Sequence, residues 1–334
     1  MKFSIFSVFD NYSDQLNRSG KRLMEEVLEQ TQFADKMGFH GAWYAEHHFS
    51  EYGILTSPQV FMAAAAERTK NIRLGIAIMV LPFHNPLSLA EDFALVDVLS
   101  NGRLNMGTGS GYIPYEFKGF NVDPTDKAFR FNEALEVIEK AWKGEKFSHK
   151  GKYYEYNDVQ LVLTPEQEEV PIWIGALTKR GVEFVGKMGY NVMGFPYIAS
   201  DSIQGVKEVV DTYVDSLKAA GHDESKKHLP LVLHTYVAET QEQAVADAKE
   251  HFNLYLRTRE YGQDRKRLVY EDLERREQVL IGSPEHVIER IKKYQEIGMD
   301  EVLMCMNFGG MPHEKVLKSI ELVSKEVMPA FETV

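Results

Sequence analysis

Residues 72–108 read IRLGIAIMVLPFHNPLSLAEDFALVDVLSNGRLNMGT. An apolar, β-branched run over 72–79 stops before Pro82 and Pro86. A stretch with apolar residues at helical spacing follows over 88–99, and a second short apolar run resumes at 104–108. Strand, helix, strand in this order is a crossover unit, which pairs its two strands in parallel and lays the helix over them.

The pattern repeats outward in both directions. Apolar runs at 2–9, 41–45, 172–175, 191–194, 231–236 and 301–306 read as further strands. Amphipathic stretches at 22–37, 57–67, 125–142, 178–187, 202–219, 240–256 and 284–297 read as helices, with Gly38 stopping the first. Eight strands alternating with helices over 334 residues suit a closed α/β (β/α)8 TIM barrel with insertions, read as one domain spanning 1–334. An open, doubly wound sheet is the alternative. A last helix at 313–331 packs outside. Two segments exceed an ordinary barrel loop: 112–123 together with 147–170, and the charge-rich 257–278, which reads either as a mobile lid over the barrel mouth or as a solvated helix.

Composition narrows the function. Lys plus Arg total 38 against 50 Asp plus Glu, a formal charge of -12. That balance disfavours nucleic acid or an anionic membrane as the main partner, since both need a basic footprint. The only cysteine is Cys305, which excludes an intrachain disulfide and suits a reducing, cytoplasmic setting. No apolar run approaches membrane-spanning length, and the N-terminus lacks a signal-peptide pattern.

Chemistry gathers at strand ends. Residues 43–53, WYAEHHFSEYG, carry Glu46, His47 and His48 just past the second strand, on the catalytic face of a barrel. A metal site is one reading, but no other His/Cys cluster has metal spacing and neighbouring strand residues point apart. One histidine in the barrel mouth acting as an acid/base is another, and a histidine satisfying buried hydrogen bonds is a third. In SNGRLNMGTGSGY, 100–112, the alternating Gly107, Gly109 and Gly111 are no dinucleotide fingerprint, because they follow the fourth strand rather than the first and Ile113–Pro114 comes next. They strip a strand end for a flat or phosphorylated ligand, or they serve a tight loop. In PIWIGALTKRGV, 171–182, a strand runs straight into a helix with Thr178 at its start, as N-cap, as phosphate ligand, or as both.

Taken together, AEHHFSEYG (45–53), IMVLPFHNPLSLAEDFALVDVLSNGRLNMGTGSG (78–111), PIWIGA (171–176), GSPEHVIERI with GMDEVL (282–303) and VMPAF (327–331) resemble the bacterial luciferase-like flavin monooxygenases over nearly the whole chain. The resemblance implies a (β/α)8 barrel that binds reduced FMN supplied by a separate NAD(P)H-dependent reductase. With O2 it would oxygenate a small organic substrate through a flavin C4a-hydroperoxide. By position, His47 matches the family's catalytic histidine, and Ala77–Ile78 falls where the family has a non-prolyl cis peptide beneath the flavin. Gly109, Ser110, Tyr112, Ala176, Leu177, Thr178 and Gly181 complete the implied cofactor site, with no metal. Glu46 would then bias the His47 tautomer or raise its pKa, Phe49 and Tyr52 would wall the pocket from solvent, and His48 would be structural. The resemblance also implies a homodimer packed through 57–67 and 88–99.

Luciferase itself has a cysteine at Gly109, an arginine at Ser110 and a glutamate at Leu177. Light emission is therefore not implied, and Lys179 or Arg180 is left to replace the arginine at the phosphate. A deazaflavin-dependent hydride-transfer enzyme and a non-catalytic flavin-binding paralogue are the alternatives.

Overall fold

The computed structural model describes residues 1–12, 17–176, 178–258 and 268–332. In chain order the first half runs β1 (Lys2–Ser7), α1 (Gly20–Lys36), β2 (Gly41–Tyr44), α2 (Pro58–Ala66), β3 (Arg73–Val80), α3 (Pro86–Leu99), β4 (Leu104–Gly109), α4 (Pro114–Gly119) and α5 (Lys127–Trp142). Then come β5 (Phe147–Lys150), β6 (Glu155–Val159), β7 (Ile172–Gly175), α6 (Lys179–Met188), β8 (Asn191–Met193), α7 (Pro196–Ala199) and α8 (Ile203–Ala219). The chain finishes with β9 (Pro230–Val237), α9 (Gln241–Thr258), α10 (Tyr270–Arg275), β10 (Leu280–Gly282), α11 (Pro284–Glu296), β11 (Glu301–Cys305) and α12 (His313–Leu322).

Eight of these strands close a parallel barrel in the order β1, β2, β3, β4, β7, β8, β9, β11 and back to β1. The β8–β9 seam is a single bridge, Gly194 to Leu231. These are the eight apolar runs of the sequence, and the doubly wound alternative is excluded because the last strand pairs with the first. Every residue of β9 is buried. Strands covered on both faces need no polar alternate positions, which is why they read as continuous apolar runs.

Short polar side chains set the helix starts. Ser19, Thr178, Ser202 and Ser283 each accept an amide hydrogen from the first turn of the helix that follows, and Asn85 accepts two. The extra residues of the insertions form the antiparallel β5–β6 hairpin and the short helix α4. The segment 257–278 divides. Residues 259–267 lie outside the described residues. The following stretch is anchored rather than loose: Tyr270, Leu273 and Gln278 are buried, and Glu274 pairs with Arg290 at 2.9 Å. A lid spanning all of 257–278 is therefore ruled out, because buried area holds its second half.

The SNGR turn has a specific structural task. Arg103 spends its guanidinium on five oxygens: Ser100 O at 2.6 Å, Thr69 Oγ1 at 2.8 Å, Ile72 O at 2.7 Å, Ala66 O at 3.0 Å and Thr69 O at 3.2 Å. It thereby satisfies the open carbonyls at the end of α2 and ties them to the starts of β3 and β4. No helix among the described residues is long and apolar enough to cross a membrane.

Candidate active site

The C-terminal ends of the barrel strands open into a cavity of about 480 Å³. His47, Ala77, Ile78, Ser110, Tyr112, Ala176, Thr178 and Gly181 all line it. Residues spread over 135 positions of sequence therefore share one wall, because the strand ends of a barrel converge there. Leu177 lies outside the described residues. Gly109 does not line the cavity. It is buried in β4 behind Ile78, whose Cδ1 would sit 2.3 Å from an added Cβ. Gly107 likewise leaves room for the Ile76 carbonyl, 2.0 Å from such a Cβ, while Gly111 adopts φ +78°. The first two glycines thus let β3 pack tightly on β4, and only the third supplies a special backbone conformation. The Ala77–Ile78 peptide bond is cis.

β2 ends at Tyr44, so Glu46, His47 and His48 leave the strand and cross the barrel mouth as a loop. The loop is pinned by His47 N–H to Leu55 O at 3.1 Å and by the close approach of Gly53, where a Cβ would lie 2.7 Å from His47 Cβ. His47 is 7% exposed and faces the cavity. Its Nδ1 lies 3.2 Å from Glu116 Oε1, which also accepts the His48 amide at 3.0 Å. An ionised carboxylate only accepts, so the proton belongs on Nδ1 and the Nε2 lone pair is left available. Tyr52 packs against the imidazole at a tilt of 55° with ring centroids 4.4 Å apart, and its hydroxyl meets that of Tyr255 at 3.3 Å.

Two expectations about this loop are corrected. Glu46 does not touch His47. Its Oε1 accepts from His48 Nε2 at 2.8 Å and His84 Nε2 at 2.5 Å, and its Oε2 accepts the Val80 amide at 2.6 Å. Burial would raise the Glu46 pKa, but these donors outweigh it and hold the carboxyl below its ordinary range. Phe49 does not wall the pocket either. It sits at φ 59°, is 65% exposed, and packs on Phe120 and His48 instead.

Glu46, His48 and His84 have the composition of a metal triad. Their spacing is that of hydrogen bonds. Ligands of a tetrahedral ion held at 2.0–2.1 Å stand roughly 3.3 Å apart, wider than the 2.5 and 2.8 Å seen here. The cluster works instead as a clamp, fastening the end of β3 at Val80 to the β2 loop.

Thr178 caps α6, its Oγ1 accepting the Gly181 amide at 3.1 Å. The first intrahelical bond is that of Val182 to Thr178 O. The amides of the turn before it point out of the helix end, where an anion is favoured. Lys179 does not answer for the missing arginine, being paired with Glu208 at 2.7 Å on α8. Lys127, at the start of α5, is the only Lys or Arg among the described residues lining the cavity, and its Nζ donates to Gly111 O at 3.1 Å beside Ser110. Glu116 and Lys127 were not anticipated from sequence. Their one signal was the insertion at 112–123, which contains or adjoins both.

The chain belongs to the luciferase-like monooxygenase family, whose model matches residues 1–301. It is 30% identical to the oxygenase component of the flavin-dependent trigonelline monooxygenase of Acinetobacter baylyi, over 99% of this chain and 96% of that one. It is 29% identical to limonene 1,2-monooxygenase of Rhodococcus erythropolis, over 92% and 81% of the two chains. The crystal structure of the monooxygenase RslO1 from Streptomyces bottropensis superposes with a TM-score of 0.91 at 26% identity, covering 99% and 100%.

Proposed function

We propose that the protein is the oxygenase of a two-component flavin monooxygenase, taking reduced FMN from a separate NAD(P)H-dependent reductase and oxygenating a small organic molecule. The observation that carries this reading is a buried His47–Glu116 pair on the wall of a cavity that also reaches the N-terminus of α6. The description of the Acinetobacter relative as an oxygenase component supports the separate reductase. The residues present suit FMN: an apolar slot between Ala77–Ile78 and Ala176 for the ring system, and Thr178, Ser110 and Lys127 for the phosphate. Reduced FMN supplies the two electrons with which one atom of O2 enters the substrate while the other leaves as water. His47 Nε2 gives and takes the proton that this exchange requires, and Glu116 holds the tautomer that leaves Nε2 available. The test is O2 consumption and product formation with reduced FMN, run beside a deazaflavin control. Binding of the deazaflavin in preference to FMN would overturn the reading.

Two binding results are expected. Lys127→Met should weaken FMN about tenfold or more, the scale of a lost hydrogen bond to a charged group, and leave riboflavin affinity unchanged. Equal losses for both ligands would move the phosphate elsewhere. Thr178→Val should weaken FMN by about 1 kcal/mol, whereas Thr178→Ser, which keeps the cap and the hydroxyl, should not. Fluorescence titration measures all four.

We also read residues 1–334 as one domain, since β11 near one end pairs with β1 at the other, and the chain as a homodimer. Val60 on α2 and Leu95 and Leu99 on α3 are 67%, 48% and 38% exposed on adjacent helices, an apolar face that association would bury. Leu95→Glu should convert the dimer to monomer in sedimentation at micromolar concentration; a wild-type monomer there would refute the pairing.

A further inference from the structure

The cavity has two unlike walls. β3, β4 and β7 are consecutive staves and carry the residues assigned above to the flavin. The opposite arc of the barrel, β8, β9 and β1, supplies Phe6, Val8, Met193, Phe195, Ile198 and Val232. None of these six side chains can ionise, and Phe6 and Phe195 brace each other edge to face at 5.8 Å.

The charges that do border the cavity are already engaged. Glu46 is held by His48, His84 and the Val80 amide, Glu116 by His47 and the His48 amide, and Lys127 lies across the cavity by Gly111. Behind the apolar arc lies the imidazole of His234, which stacks on Phe195 at 5.9 Å. Both its ring nitrogens lack a partner, and burial pushes its pKa down to about 3, so it stays neutral. An ionic group entering this arc would give up its hydration and meet no counter-charge, which is costly.

We infer that the substrate is a neutral, largely apolar small molecule, selected by the uncharged arc of β1, β8 and β9. The inference rests on the flavin reading for which wall is left to the substrate. It separates the two relatives by chemistry, because limonene is a neutral hydrocarbon whereas trigonelline is a betaine carrying a fixed pyridinium cation and a carboxylate.

The test measures binding of limonene and of trigonelline to the full chain by calorimetry, with and without FMN. Limonene should bind at least about 100-fold more tightly than trigonelline. Trigonelline binding as tightly as limonene, with FMN also bound, overturns the inference and spares the flavin reading. A preference for limonene in a protein that fails to bind FMN upholds charge exclusion and overturns the flavin reading instead. Ile198 is only half-buried, so Ile198→Asp should fold, and it should narrow the preference at least tenfold; a folded variant with an unchanged preference would count against the arc as selector.

Discussion

His47→Ala is expected to leave FMN binding nearly intact and to lower turnover on the true substrate by roughly 10²–10⁴, the range for removing a positioned general acid/base. The affinity should hold because His47 stands on the β2 loop, away from Thr178, Ser110 and Lys127. The rate should fall because His47 is the only imidazole lining the cavity among the described residues, and imidazole titrates near neutrality. Glu46 and Glu116 are committed to their donors, and Lys127 is a cation held on Gly111 O. Glu116 is assigned as a positioning residue acting through His47, and a double-mutant cycle separates that role from mere packing. If Glu116 acts through the imidazole, Glu116→Gln should slow turnover and shift its pH profile in the wild-type background. It should then cost almost nothing further in the His47→Ala background. Losses that simply add would make Glu116 a structural residue with no coupling to the proton transfer.

The second large effect falls on stability. Arg103→Met should lower the free energy of unfolding by about 3–5 kcal/mol, since each buried acceptor left without a donor costs about 1–3 kcal/mol and part of that is recovered by relaxation. Against a typical total of about 5–15 kcal/mol, such a loss is severe. Five oxygens lose a donor at once, and they belong to the end of α2, the turn before β3 and the turn before β4. Lysine is a poor replacement, since three rotating donors cannot reproduce a planar fork that reaches five acceptors. Urea denaturation should report a lower midpoint with an unchanged slope. A midpoint within experimental error of wild type would show that water reaches these carbonyls and takes over their hydrogen bonds.

Arg103 also marks a limit of reading from sequence. In SNGRLNMG it stood out only as part of a resemblance to a family, beside glycines that suggested a ligand loop. The structure makes it a splice between a helix and two strands. Gly107 and Gly109 changed meaning in the same way: both are there for β3, whose backbone and Ile78 occupy the space a side chain would need. Glycine has no side chain to indicate what approaches it, so sequence alone left ligand and packing equally open.

By itself the sequence determined the eight barrel strands, the longer helices between them and their order, because apolar periodicity and short polar caps act over a few residues; it did not show β5, β6, β10 or the short helices α4, α7 and α10. The eight strands expected from those runs are the eight staves of the barrel, and the count favoured closure. It also drew notice to Glu46, His47 and His48, since two histidines and a carboxylate at a strand end are unusual, while the choice of His47 among them came with the family resemblance. Only the tertiary structure decided which carboxylate serves which imidazole. Glu46 is adjacent to His47 in the chain yet turns to His48, His84 and Val80, while Glu116, 69 residues away, takes the contact. Hydrogen-bond partners are settled by where barrel closure carries the loops, and α4 reaches the β2 loop only once β3 and β4 are paired between them. The same closure turned Lys127, one charge among many in an acidic chain, into the cation on the cavity wall.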